Sequence, residues 1–238
     1  MSKLVQPKAV GNKHCHTPLV RLKKTLFGRR LLHTVAPVSY THLDVYKRQE
    51  YRKPHELMIA TRLAAQCTDA RVNIVCVDLF DKYRSVRDFA EANLTDVEEI
   101  IKSCGLYKTK AHDIIAMCQM LMEKYNGELP DTVEELTKLP GIGRKTANLV
   151  VGDVFHKPAI VCDTHCIRIT NLLGLTEGKD PVKVENQLRP LLPPEESNDF
   201  CHRLVLHGRA VCVARRPQCD ACVLKVCCKH YKDTYKLK

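Results

Sequence analysis

The sequence predicts an all-α protein, and three observations carry that expectation. The apolar residues are mostly Leu, Ala, Val and Ile, with aromatics at only 5% and no Trp. From residue 54 onward they recur at helical spacing, and no stretch sustains the period-two alternation of a half-buried strand. At 238 residues the chain can bury a substantial core in one large or two modest domains.

The elements follow in order. Helices are expected around residues 55–66 and 70–82. Capping boxes, in which a hydroxyl and an acid three residues on satisfy two orphan N–H groups, are read at Thr95-x-x-Glu98 and Thr132-x-x-Glu135. Between them Ala111, Ile114, Ile115, Cys118, Leu121, Met122 and Tyr125 line one face of a longer helix, which Asn126-Gly127 and then Pro130 stop. The helix opened at Thr132 runs to Leu139, where Pro140 and two glycines break it, and a new helix starts near Arg144. Further helices are expected around residues 164–173, 182–191 and 199–211.

The break is the most informative of these features. In Leu139-Pro140-Gly141-Ile142-Gly143-Arg144-Lys145, glycines without Cβ atoms let the backbone turn tightly and approach a ligand. The helix that follows offers unpaired N–H groups and its positive dipole end to an anion. Lys145 therefore places a reactive amine beside a surface shaped for a phosphate, although a short Gly-x-Gly turn alone also fits an ordinary helical corner with a solvated lysine. Downstream, the apolar run Ala159-Ile160-Val161-Cys162 leads into Asp163-Thr164-His165. Asp163 reads as the N-cap of the next helix, and a carboxylate held there also suits the stabilisation of positive charge developing on a sugar ring.

Charge is unevenly spread. The formal net charge is +11, but residues 1–48 hold ten Lys and Arg against Asp44 alone, leaving 28 basic and 26 acidic side chains in the rest. Attraction for a nucleic acid must then come from local clusters, and Arg203, Arg209, Arg215 and Arg216 occur with no acid between Asp199 and Asp220. No apolar run approaches the roughly 20 residues of a membrane span, so a soluble protein is expected.

Of the 13 cysteines, most are scattered in apolar stretches and read as small buried hydrophobes of a reducing compartment. Cys212, Cys219, Cys222 and Cys228 instead follow C-x6-C-x2-C-x5-C, with Cys227 beside the last. Four soft thiolates on so short a loop suit tetrahedral zinc or a [4Fe-4S] cluster, and thiolate chemistry does not separate the two. An odd cysteine count and the lack of a signal peptide disfavour a disulfide knot.

From about Pro54 to Cys228 the sequence resembles the endonuclease III family of helix-hairpin-helix DNA glycosylases. The resemblance is carried by Leu63-Ala64-Ala65-Gln66-Cys67-Thr68-Asp69, Gly105-Leu106-Tyr107, the segment from Leu139 to Ala147, Val161-Cys162-Asp163-Thr164-His165, Leu206-His207-Gly208-Arg209 and the four-cysteine tail. It implies a six-helix barrel with the hairpin over residues 51–157 and a second helical domain over 158–238 that carries a [4Fe-4S] cluster on Cys212, Cys219, Cys222 and Cys228. It implies Lys145 as the nucleophile attacking C1′ of the deoxyribose and Asp163 as its carboxylate partner. It further implies that Gln66 fills the gap left in double-stranded DNA by a flipped damaged nucleotide, that Leu106 wedges into the opposite strand, that backbone N–H groups at Gly141 and Gly143 grip phosphate, and that Arg215 and Arg216 add contacts.

A lysine at this position forms a Schiff base that a hydroxyl could not, so among the relatives the resemblance implies a bifunctional glycosylase and abasic-site lyase acting on oxidised pyrimidines, a monomer of the cytoplasm associated with the nucleoid. The alternatives are a monofunctional mismatch or adenine glycosylase and a non-catalytic DNA-binding iron-sulfur sensor. Residues 1–50 match nothing in the family. The string from Val38 to Gln49 resembles an artefactual junction of assembled sequence, and the acid-poor start also has the composition of an organellar transit peptide.

Overall fold

The computed structural model describes residues 53–235; the basic segment 1–50, with its junction-like string, lies outside the described residues. Among the described residues there are eleven α-helices and one 3-10 turn: α1 Pro54–Ala64, α2 Asp69–Lys82, α3 Val86–Ala90, α4 Leu94–Ile100, α5 Tyr107–Tyr125, α6 Val133–Leu136, α7 Arg144–Asp153, α8 Thr164–Leu173, α9 Pro181–Leu188, the 3-10 turn Pro194–Glu196, α10 Ser197–Ala210 and α11 Lys229–Tyr235. None is a strand, as the missing alternation required.

Local chemistry fixes most boundaries. Thr68, Asp163 and Asp180 each cap the following helix by accepting a backbone N–H on a side-chain oxygen. Pro54 and Pro181 stand at helix starts, where a missing N–H costs nothing. The helix expected to reach Gln66 ends at Ala64, because Ala65 turns extended at ψ 113° and Gln66 follows with φ 56°, both outside helical space.

Two expectations about caps are corrected. Thr95 caps nothing: Asn93 Oδ1 already accepts from Thr95 N at 2.9 Å and Asp96 N at 3.4 Å, so the helix begins before Thr95. At Thr132 half of the box forms, with Glu135 N donating to Thr132 Oγ1 at 3.3 Å, while the Glu135 carboxylate accepts from Tyr125 Oη at 2.6 Å. A full box forms instead at Ser85 and Asp88, opening α3.

Two hydrophobic cores result. The first is centred on α5, which packs against α1, α3 and α4, and it includes Met58, Leu63, Phe89, Ile114, Leu121, Leu139 and Ile142. The second gathers Ile160, Cys166, Ile169, Val184, Leu188 and Leu204 from α8, α9, α10 and the strand-like run before α8. Helix α7 belongs to both, giving Ala147, Val150 and Val151 to the first and Leu149 to the second.

Candidate active site

The hairpin is anchored by what it buries and is open where it is bare. Leu139 and Ile142 are buried in the first core, while Gly141 and Gly143 face outward. Gly141 takes φ +72°, the left-handed region glycine enters without strain. At Gly143, which caps α7, a Cβ would meet nothing within 4 Å, so the approach to the helix start is open space. Among the described residues no side chain caps α7, and no acid lies in its first turn, leaving its leading N–H groups and dipole uncompensated there. Lys145 is exposed on that turn.

Its neighbour Arg144 is tied down. The guanidinium donates from Nε and Nη2 to Glu185 Oε2 and Oε1 at 2.7 and 2.9 Å, reaching from α7 to α9. Glu185 is only 1% exposed and also accepts from Arg189 and, at 3.4 Å, from Asn148 Nδ2. Burial alone would raise its carboxyl, but Arg144 and Arg189 together outweigh burial and hold it below the ordinary value. A buried carboxylate of this kind fixes the start of α7 against the second core.

Asp163 is buried at the head of α8. Its Oδ1 accepts from Cys166 N at 2.7 Å, and its Oδ2 lies 3.1 Å from His165 Nδ1. The imidazole is in turn confined by α10, since a Cβ on Gly208 would come within 2.5 Å of His165 Cδ2. The sequence reading assigns His165 no supporting role, and its only local signal is the spacing of two residues from Asp163 in an N-terminal turn.

Gln66 and Leu106 stand on adjacent loops. Both are exposed, Leu106 at 61%, and both adopt positive φ, 56° and 60°. Two non-glycine residues in the left-handed region store strain of the kind that clusters at ligand-contacting sites. The loops touch, because a Cβ on Gly105 would lie 3.7 Å from the Gln66 carbonyl oxygen. Beneath them Lys110 is fully buried and donates from Nζ to Leu63 O at 2.8 Å, with burial lowering its pKa.

The arginine patch is smaller than its sequence suggested. Arg203 is mostly buried and pairs with Asp199 at 3.3 Å, and Arg209 lies 3.7 Å from Asp69 of α2. Arg215 and Arg216 remain exposed on the loop after Cys212.

Cys212, Cys219, Cys222 and Cys228 all line one cavity of about 260 Å³, and Cys227 does not. The Cys227 thiol turns away and donates to Leu224 O at 3.1 Å. Arg168 Nη1 approaches Cys212 Sγ at 3.5 Å and His207 Nε2 lies 3.7 Å from Cys222 Sγ. Among the described residues, no three His, Cys, Asp or Glu side chains converge closely enough to hold one metal ion. The four thiols surround a space rather than a point.

Residues 59–194 match the family model described as HhH-GPD superfamily base excision DNA repair protein. The chain is 44% identical over 180 residues to endonuclease III of Bacillus subtilis, covering 75% of this chain and 82% of the relative. It is 40% identical over 183 residues to endonuclease III of Escherichia coli strain K12, covering 77% and 86%. Among solved structures, a trapped endonuclease III–DNA covalent intermediate superposes with TM-score 0.77 at 43% identity, covering 86% of this chain and 95% of the other. A thermostable thymine-DNA glycosylase superposes with TM-score 0.72 at 20% identity, covering 86% and 96%, which shows the shared fold.

Proposed function

This chain belongs to the HhH-GPD superfamily of base excision DNA repair proteins, and we propose that it is a bifunctional DNA glycosylase and abasic-site lyase that removes oxidised pyrimidines from duplex DNA. The observation that carries the reading is the likeness, at 43% identity, to a trapped endonuclease III–DNA covalent intermediate. This chain holds the two groups such chemistry needs: Lys145, exposed on an uncapped helix start, and Asp163, a buried carboxylate at the head of another helix.

The chemistry follows from those groups. Lys145 Nζ bonds to C1′ of the deoxyribose as the C1′–N bond to the base breaks, and the base leaves with that electron pair and takes up a proton. Asp163 stabilises the positive charge that develops on the sugar. The bound amine loses one proton, the C1′–O4′ bond of the sugar ring breaks with O4′ taking the electron pair and a proton, and C1′ is left as a protonated imine that acidifies the C2′ proton. Loss of that proton expels the 3′ phosphate and cuts the strand by β-elimination. Because C1′ is inaccessible in stacked duplex, the nucleotide must be flipped out, with Gln66 filling the gap and Leu106 parting the opposite strand. The open N–H groups at Gly141 and Gly143 receive phosphate, and Arg215 and Arg216 extend the contact.

The tail cysteines fit a [4Fe-4S] cluster. Cys212, Cys219, Cys222 and Cys228 line one cavity and would hold it as thiolates, and the likeness to endonuclease III favours iron-sulfur over zinc. When bound, the cluster supplies a cross-link that shapes the loop carrying Arg215 and Arg216. Residues 51–157 and 158–238 form the two domains, and the protein works as a cytoplasmic monomer. No helix among the described residues is long and apolar enough to cross a membrane.

Borohydride reduction on duplex containing thymine glycol or an abasic site tests the reading. Wild type yields a covalent protein–DNA adduct and Lys145→Ala yields none. A wild type that removes the base without trapping is the monofunctional alternative. One that binds DNA and does neither is the non-catalytic sensor.

A further inference from the structure

Three parts of the molecule that the proposed function brings to DNA meet over one ion pair. Arg62, in the last turn of α1, donates from Nε and Nη2 to Asp113 Oδ2 of α5 at 3.0 and 2.6 Å, and both side chains are largely buried. Gly141 of the hairpin lies directly on this pair, since a Cβ there would come within 2.8 Å of Arg62 Nε and of Asp113 Oδ2. Four residues beyond Arg62 the chain reaches Gln66, and seven residues before Asp113 it leaves Leu106. A second tie runs parallel one turn away, from Lys110 Nζ of α5 to Leu63 O of α1.

We infer that Arg62 and Asp113 are positioning residues that set the phosphate-gripping hairpin and the two insertion loops in register with one another. The pair carries little weight as a source of stability, because the desolvation of two charges offsets most of their attraction. Its geometry has a clearer use. Two N–H donors converging on one carboxylate oxygen fix the end of α1 against α5, and the hairpin backbone rests on the planar guanidinium and the carboxylate at van der Waals distance. The strained loops leave from the last residues of α1 and from the start of α5, about one turn from Arg62 and about two turns from Asp113. The spacing between a phosphate at Gly141 and the wedge at Leu106 is therefore set through these two helices by the pair and by the Lys110 tie. Gln66 and Leu106 then insert at a fixed distance from the gripped strand, which lowers the cost of reaching the flipped state.

The inference rests on the proposed function, and the experiment separates the two. Single-turnover cleavage and trapping are measured for wild type, Arg62→Gln, Asp113→Asn and the double variant, on lesion duplex and on a single-stranded oligonucleotide bearing an abasic site. The single strand needs neither flipping nor a wedge. Each single variant is expected to raise the half-saturating duplex concentration by about tenfold, the double variant to be no worse than either single, and trapping on the single strand to stay at the wild-type rate. A direct phosphate contact by Arg62 predicts the opposite pattern, with Asp113→Asn binding duplex more tightly once the cation is released, and that result overturns the inference. So do variants that match wild type on duplex, or that lose single-stranded and duplex activity together. A wild type that traps on neither substrate removes the glycosylase–lyase reading itself.

Discussion

His165 presents Nδ1 to Oδ2 of Asp163 at 3.1 Å, while the other carboxylate oxygen receives the amide of Cys166 at 2.7 Å. Both oxygens are thus engaged, and the carboxylate has one orientation. The imidazole is itself wedged against the bare backbone of Gly208. His165→Ala is expected to slow base removal by about tenfold to hundredfold with duplex affinity unchanged, because the charge remains and its aim is lost. Gly208→Ala should do the same by pushing the ring aside. Single-turnover rates beside equilibrium binding check both, and a parallel loss of binding would refute the positioning role.

Asp163→Asn separates capping from charge. Asn caps helices about as well as Asp, so the melting temperature should move by no more than about 2 °C. Base removal should fall by at least about a hundredfold. Calorimetry paired with a cleavage assay makes the comparison. Lys145→Ala, at an exposed position, should likewise melt within about 2 °C of wild type while losing all borohydride trapping.

The four cysteines that line the cavity should behave alike and Cys227 differently. Cys212, Cys219, Cys222 and Cys228 changed singly to Ser should each lower bound iron and sulfide, and Cys227→Ser should load fully. Iron and sulfide analysis of the purified variants decides it, and a colourless zinc protein would overturn the cluster assignment.

Stability should fall with acid in two stages. His55 is buried, its Nε2 has no hydrogen-bond partner among the described residues, and burial holds its pKa below the ordinary 6.5. The unfolded chain therefore binds this proton first, and stability present above pH 6.5 is lost as pH falls below it. Glu185 is held below its ordinary 4.5, so its contribution is present above 4.5 and is lost as pH falls through the lower folded value. Melting temperatures across pH 8 to 3 should show both, and His55→Leu should reduce the first stage, to which the buried His207 also contributes, while leaving the second unchanged. At neutral pH Glu185→Gln should cost about 5–10 °C, since it leaves Arg144 and Arg189 facing a neutral amide.

Local chemistry explains what could be read beforehand. The hairpin was legible because Pro140, Gly141 and Gly143 punctuate the chain within four residues, and the Asp163 cap because it needs only the next helical turn. Thr95 misled because Asn93, two residues earlier, captures the same N–H groups. Helix α3 spans five residues, too few for a periodic pattern, and only its Ser85 and Asp88 box announced it. Helix α11 buries no residue and so carries no apolar stripe. The long-range pairs had no local trace at all: Arg62 and Asp113 are 51 positions apart, Arg144 and Glu185 are 41 apart, and the partner that removes Arg209 from the patch comes from α2.

Helix α7 gives three apolar side chains to one core and Leu149 to the other, with Lys145 at its free tip. It is a beam of the first domain on which the second core also rests. Neither half can be excised cleanly, because cutting on either side of α7 strips one of its faces. A substitution deep in either core can also tilt the amine without touching DNA, so loss of activity far from the hairpin is an expected behaviour of this architecture.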